Sequence, residues 1–293
     1  MAADTAGRRD AEAAPARVSA GVAVDALPDA LAPGELESRA DGRRPAVFLD
    51  YDGTLTPIVA RPEQAVIPAD VAAALADLAT VATVAIVSGR DLLDVAAMVG
   101  VEGLWYAGSH GFDVRSPDGS SRQFEAGSAA GPALDAAERD LAGVLRVDGA
   151  WTERKRFAIA VHHRATPDHL VPGLAEAVAE VAAAHPELRV TGGKKIIELR
   201  PDVAWDKGRA LTWLLGAAGV DPDREVAVFV GDDETDEDAL AVVRDHGIGV
   251  VVAAGDDTDS RPTAAHLRLS GPGDAAALLG RLAALARTAE PRP

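Results

Sequence analysis

Three largely apolar runs in this chain each break off into acidic or hydroxyl side chains, and that pattern limits the fold more than any other feature. Ala46-Val47-Phe48-Leu49 runs into Asp50-Tyr51-Asp52-Gly53-Thr54. The stretch 81–87 runs into Ser88-Gly89-Arg90, and 226–230 runs into Gly231-Asp232-Asp233-Glu234-Thr235-Asp236. Short apolar runs without polar alternation read as strands buried on both faces. Helical spacing follows each of them: Val71, Leu75 and Leu78 after a Pro68 start, then 91–99, then a helix running to about Asp245. A helix from Asp206 to about Ala218 precedes the third run, and a strand over 248–252, a short strand over 267–269 and a helix over 275–286 close the chain. Strands alternating with helices predict a parallel sheet with crossover helices.

The middle of the chain reads differently. Residues 112–124 alternate around a turn at Ser116-Pro117-Asp118-Gly119, which is a hairpin signal. Helices are expected over 133–145 and 167–184, a strand over 157–163, and a second hairpin over 188–200. The predicted fold class is therefore α/β, a Rossmann-like parallel-sheet core with an inserted α+β cap domain. The core comprises 46–112 plus 200–288 and the cap 113–199, with a flexible N-terminal tail over 1–45, room in it for one short helix, and a tail over 289–293. Hinges are expected near 111–114 and 199–202. A length of 293 residues fits two such units.

Composition removes several classes of function. With no cysteine the chain has no disulfide, iron–sulfur cluster, thiolate zinc site or cysteine nucleophile. Its 46 acidic against 29 basic residues, net −17, disfavour a polyanion such as DNA. No apolar stretch reaches the roughly 18 residues of a membrane helix, and no secretory signal is evident, so the expected location is cytoplasmic with no membrane partner.

In an open parallel sheet, ligands bind beyond the carboxyl ends of the strands. Asp50, Asp52, Ser88, Asp232, Asp233 and Asp236 all stand there. Clustered carboxylates repel unless a cation sits among them, and an oxygen-only donor set points to Mg²⁺, which keeps positions open for a phosphate. Lys207, at a helix start, can add a fixed positive charge, while the hydroxyls of Ser88 and Thr54 and the loop N–H groups can hold phosphate oxygens. Taken singly, an aspartate after a strand is as often a turn former or helix cap. The acidic loop at Asp50 also resembles the start of a calcium loop but follows a buried strand. The joint occurrence in this order favours the cation site.

Asp50-Tyr51-Asp52-Gly53-Thr54-Leu55, Ser88-Gly89-Arg90, Lys207-Gly208 and Gly231-Asp232-Asp233-Glu234-Thr235-Asp236 resemble the four motifs of the haloacid dehalogenase superfamily. Gly108-Ser109-His110-Gly111, His162-His163-Arg164, the stretch Gly193-Lys194-Lys195-Ile196-Ile197-Glu198-Leu199-Arg200-Pro201, and Trp205-Asp206-Lys207-Gly208 narrow the resemblance to the trehalose-6-phosphate phosphatases. One departure is His163, which stands where that family is expected to have tyrosine. The resemblance implies Asp50 as a nucleophile that forms an aspartyl-phosphate, Asp52 as general acid and then base, and Ser88 and Lys207 as holders of the phosphoryl group. It implies Mg²⁺ on Asp50, the Asp52 main-chain carbonyl and Asp232, with Asp233 and Asp236 orienting the metal's surroundings. Thr54, Arg90, His110, Arg164, Lys194, Lys195 and Glu198 are the expected substrate-binding residues. The implied reaction is hydrolysis of trehalose 6-phosphate, the last step of trehalose biosynthesis, beside a trehalose-phosphate synthase of the same pathway. Sucrose phosphate, mannosylglycerate phosphate, or a catalytically silent sugar-phosphate-binding regulatory subunit are the alternatives. Trp213 is expected in a helix core and Trp205 at the mouth of the cleft, while Trp105 and Trp151 receive no role.

Overall fold

A computed structural model of the chain describes residues 21–59, 61–193, 195–253 and 261–289. Strand β1 (Val22–Ala23) and helix α1 (Glu35–Ala40) lead into β2 (Arg44–Leu49). Then come α2 (Ala69–Ala79), β3 (Val84–Val87), α3 (Leu92–Val99), β4 (Trp105–Gly108), β5 (Asp113–Arg115) and β6 (Ser121–Gln123). The central stretch holds α4 (Glu125–Ser128), α5 (Gly131–Val144), β7 (Trp151–Lys155), β8 (Ala158–His162), α6 (Val171–Ala184), β9 (Leu188–Gly193) and β10 (Ile196–Pro201). The chain returns through α7 (Lys207–Ala217), β11 (Glu225–Gly231), α8 (Glu237–Val243), β12 (Ile248–Val252), β13 (Pro262–Thr263), β14 (Leu267–Leu269) and α9 (Ala275–Thr288).

The main sheet has the order β14-β12-β11-β2-β3-β4-β5-β6. The first six strands are mutually parallel; β5 and β6 are antiparallel additions. Alternation along β2 shows why its apolar run is unbroken. Val47 and Leu49 pack on one face with α2, α3 and α9, while Ala46 and Phe48 pack on the other with α7 and α8. Both faces are covered, so every side chain of the run is buried, as parallel strands require. The cap is a four-stranded antiparallel sheet, β7-β8-β10-β9, backed by α5 and α6 over its own apolar core. Among the described residues no helix is long and apolar enough to cross a membrane.

Two boundary expectations are corrected. The expected flexible tail over 1–45 is ordered from residue 21 onward, with Val24, Leu27, Ala30, Leu36 and Ala40 buried against the core; residues 1–20 lie outside the described residues. Leu36 and Ala40 are the buried side of the short α1, while Val24, Leu27 and Ala30 precede it on a stretch buried by partners distant in the chain. The hairpin over 112–124 does form, but as β5 and β6 it extends the core sheet beyond β4 and is not part of the cap. The first crossing into the cap thus falls between Phe124 and Gly131, while the second follows β10, which ends at Pro201. Phe112, Phe124, Phe157 and Trp205 meet at the root of the cap, with ring centroids 4.1–6.0 Å apart in the contacting pairs. Trp205 is therefore a packing residue at the joint, and it donates from Nε1 to the His110 carbonyl at 3.1 Å. Trp213 packs edge-on against Trp105 and Phe124.

Candidate active site

The loops after β2 and β11 lie side by side because those strands are paired in register, Leu49 opposite Val230. After β2 the chain reverses tightly: the Tyr51 carbonyl accepts from the N–H groups of Thr54, Leu55 and Thr56. Gly53 carries a φ of +86°, and a Cβ there would come within 2.2 Å of Asp232 Oδ2. Only glycine lets the two acidic loops approach so closely.

Carboxylate oxygens of Asp50, Asp232 and Asp236 all lie within 4.8 Å of one another, and all three residues are buried. Asp50 and Asp232, far apart in the chain, thus converge at the strand ends, as the acidic loops led one to expect. Asp206 caps α7 by accepting from Arg209 N at 2.8 Å, and this fixes the turn from which Lys207 enters the cluster. Its Nζ donates to Asp50 Oδ1 at 2.8 Å and to Asp236 Oδ1 at 2.6 Å. The other Asp236 oxygen, Oδ2, accepts from the backbone N–H of Asp232 at 3.0 Å and of Asp233 at 3.1 Å. Asp233 accepts from the N–H and hydroxyl of Thr235 and closes a capping box with Asp236. Both Asp236 oxygens are thus engaged by protein donors, so this residue shapes the cluster from behind.

Burial pushes the Asp50 carboxyl well above its usual range; Lys207 opposes this, and Asp236, Asp232 and Asp233 add to it. Asp236 is pushed up to about 7, again chiefly by burial. Burial works against the Lys207 ammonium, but Asp236 and Asp50 outweigh it and hold the group charged. Four acids against one lysine leave an uncompensated negative charge in a dry site. Hard oxygen donors with such an excess fit a divalent cation. The Thr54 hydroxyl, buried and without a hydrogen-bond partner among the described residues, faces the same need for a ligand.

Ser88 is buried, and its hydroxyl accepts from Arg90 N at 3.2 Å. Arg90, expected to bind substrate, borders the cleft while its guanidinium is engaged by acids of the core. Its Nε and Nη2 grip the two oxygens of Asp52 at 2.7 Å each, Nη1 reaches Asp94 at 3.1 Å, and Nη2 also donates to the Pro62 carbonyl at 2.8 Å. A fork of this kind holds Asp52 in one orientation.

Above this floor stands a second charged group, of which the motifs named Glu198 and His110 but not Lys155. Lys155, from β7, donates to Glu198 Oε1 on β10 at 2.8 Å and to the Gly89 carbonyl of the core at 3.3 Å. His110 Nε2 lies 3.4 Å from Glu198 Oε2, in ion-pair range but not aligned as a hydrogen bond. Burial lowers His110 to about 4, with Arg200 acting in the same direction. Burial would raise Glu198, but Lys155, His110 and Arg200 reverse that and hold it well below the usual carboxylate range. The signal for Lys155 was period-two alternation: Glu153 and Lys155 share the face of β7 that looks into the cleft, and the Glu153 carboxylate accepts from His162 Nε2 at 2.8 Å. A second tie between the lobes runs from Arg156 N to both oxygens of Asp91 at 3.0 Å.

An inner chamber of about 130 Å³ is bordered by Asp50, Lys207, Arg90, His110, Lys155 and Glu198. It opens into a cleft of about 420 Å³ that Arg164, Lys195, Trp151 and His162 help to line. Lys195 is exposed and pairs with Asp168 at 3.3 Å. Lys194 lies outside the described residues. Trp151, left without a role by sequence, stacks on His162 with centroids 3.9 Å apart.

A three-layer core with paired acidic loops at its strand ends, roofed by an inserted α+β cap, is a haloacid-dehalogenase-like fold. A family model described as trehalose-phosphatase matches residues 48–273, and the chain belongs to that family. It is 45% identical over 265 residues to the trehalose-phosphate phosphatase of Mycobacterium marinum, covering 88% of this chain and 66% of that protein. It is 48% identical over 270 residues to a Mycobacterium tuberculosis protein described as an uncharacterized glycosyl hydrolase, covering 90% of this chain and 20% of that one. The chain thus spans a fifth of the length of one curated relative and about two thirds of the other. The Candida albicans trehalose-6-phosphate phosphatase C-terminal domain superposes with a TM-score of 0.74 at 24% identity, covering 88% of this chain and 99% of that one, a likeness of fold. The Aspergillus fumigatus trehalose-6-phosphate phosphatase gives 0.61 at 28% identity, with 88% of this chain and 99% of that one covered.

Proposed function

We propose that this chain hydrolyses trehalose 6-phosphate to trehalose and phosphate through an aspartyl-phosphate on Asp50. The observation that carries the reading is the convergence of Asp50, Asp232, Asp236 and Lys207 on the floor of a capped cleft. The Asp50 carboxylate attacks phosphorus, and the bond to the sugar 6-oxygen breaks. Asp52, turned from Arg90 toward the chamber, protonates that oxygen as it leaves. In the second half-reaction Asp52 takes a proton from water, which attacks the acyl phosphate and restores Asp50. Lys207, Ser88 and loop N–H groups hold the equatorial oxygens, whose negative charge is spread in a loose transition state.

Mg²⁺ is the proposed ion, held by the carboxylates of Asp50 and Asp232 and the Asp52 main-chain carbonyl; when bound, it offsets the repulsion between a carboxylate and a phosphate dianion. Asp233 and Asp236 orient that group. In the cleft, Thr54, His110, Lys155, Arg164, Lys195 and Glu198 offer donors and acceptors for sugar hydroxyls and phosphate. The cap excludes water during transfer and opens for release. Under this reading a trehalose-phosphate synthase supplies the substrate and the cytoplasm is the compartment.

Phosphate release from trehalose 6-phosphate, sucrose phosphate and mannosylglycerate phosphate, each with and without Mg²⁺, tests this proposal. Preference for trehalose 6-phosphate, dependent on the metal, is the expected result. Turnover of another sugar phosphate at a higher kcat/KM would overturn the substrate, and binding without turnover would make the chain a sensor.

A further inference from the structure

Residues 21–30 precede the stretch that matches the family model, yet they are stitched to β13 and β14, and Arg261 beside β13 reaches an acidic loop. Val22 and Ala23 of β1 pair with Thr263 and Pro262 of β13, and Val24 N donates to the Arg261 carbonyl at 3.2 Å. The approach is close: a Cβ on Gly21 would fall 2.7 Å from Thr263 N. Val24 is fully buried in the apolar cluster beneath α7 and α8, so the segment is anchored from below. Further along, Ala30 N donates to the Arg268 carbonyl at 2.8 Å, and Arg268 N donates to the Pro28 carbonyl at 3.0 Å.

The side chain of Arg261, the residue gripped by this strap, points the other way. Its Nη2 donates to the main-chain carbonyl of Asp232 at 2.9 Å, and its Nη1 pairs with Glu237 at 3.6 Å. Glu237 in turn accepts from Ala264 N at 2.8 Å and from the Thr263 hydroxyl at 3.2 Å, which ties α8 to β13. The N–H of Asp232 is already held by Asp236. Both peptide groups flanking the Asp232 Cα are therefore pinned: Asp236 holds the N–H of each, and Arg261 holds the Asp232 carbonyl from the opposite edge of the second.

We infer that Arg261, held by the N-terminal strap, is a positioning residue that aims Asp232 at the cation. The inference rests on the reading above that Asp232 holds a divalent ion. Partners that orient a metal's ligands commonly set its affinity by about 10–100-fold, because a ligand free to wander must be ordered on binding. A residue that serves only as a local fastener would lower the stability of the metal-free protein and leave its affinity for the ion alone.

Isothermal titration of the full chain with MgCl₂ and, separately, MnCl₂ distinguishes the two, alongside thermal melting of the metal-free forms. Arg261→Ala is expected to raise the Kd about 10-fold. Arg261→Gln, which keeps an N–H donor, is expected to fall between Arg261→Ala and the parent. Val24→Ala, which loosens the strap but removes no backbone hydrogen bond, is expected to shift the Kd in the same direction by a smaller factor. An unchanged Kd in both Arg261 variants, with a lowered melting temperature, overturns the positioning role. Asp232→Asn separates the levels: if it too binds the ion like the parent, the cation site itself is misplaced.

Discussion

Asp50 and Glu198 are both buried carboxylates in one cleft, and their acidities are driven in opposite directions. Burial pushes both upward. At Asp50 one lysine opposes three further aspartates, and the rise stands. At Glu198 the neighbours are Lys155, His110 and Arg200, and the fall is large. The floor of the core is therefore short of positive charge and is completed by an ion, whereas the roof group on the cap is balanced within the protein. Under the proposed function the first cluster, once it holds its ion, offsets the charge of a phosphate during transfer, and the second is charged and placed before a sugar arrives, so its hydrogen bonds need little reorganisation.

Substitutions that separate floor from roof test this contrast. Asp50→Asn, on the floor, removes the covalent route and is expected to cut phosphate release by at least about 10⁴-fold on every substrate. Asp52→Asn removes the acid and base, and trehalose 6-phosphate turnover is expected to fall by about 10²–10⁴-fold. An aryl phosphate, whose leaving group departs without a proton, should lose less in the first half-reaction, and burst kinetics would display the difference. On the roof, Glu198→Ala is expected to lower kcat/KM for trehalose 6-phosphate by about 10–100-fold, the worth of hydrogen bonds to a charged group, while sparing the aryl phosphate. Equal loss on both substrates would merge the two clusters into one functional unit.

The smallest expected effect concerns pH. His110 sits at about 4 in the folded chain against an ordinary 6.5, so between those values the unfolded chain binds more protons. Stability contributed by keeping His110 neutral is present above pH 6.5 and is lost as pH falls toward 4. The charged groups facing it are Glu198, Arg200 and Lys207, with Asp233 also within its field. Urea unfolding at pH 7 and pH 4.5 should show the parent losing about 2–3 kcal/mol more than His110→Gln over that interval. Identical pH dependence in the two proteins would mean that the imidazole keeps its ordinary acidity.

The floor was legible in the sequence because each of its residues lies within a few positions of a buried apolar run or a helix start. Asp50, Ser88 and Asp232 follow strands, Lys207 opens a helix, and a parallel sheet brings those ends together whatever lies between. The roof was legible only in part: the resemblance named Glu198 and His110, but Lys155 and the pairing among the three were not readable, because they come from separate elements whose neighbours are set by strand order in the cap and by its docking on the core. The hairpin over 112–124 shows the same limit. Its turn chemistry is local and was readable, but the sheet it joins is decided by pairing of β5 with β4. Arg90 was expected among the substrate-binding residues; that it also grips Asp52 was not readable, since a side chain of that length reaches several acids and sequence does not rank them. Residues 21–40 lacked any period because strand, turn and helix alternate there every few residues.

The pairing of β2 with β11 at the middle of the main sheet also has a consequence for how the molecule comes into being. During synthesis β2 and β3 are made close together, but the partner for the other edge of β2, β11, is made only after the entire cap. That unpaired edge is apolar on both faces and is a standing invitation to wrong partners. Nascent chains halted before residue 231 should sediment with chaperones or aggregates, and no truncation product ending there should release phosphate.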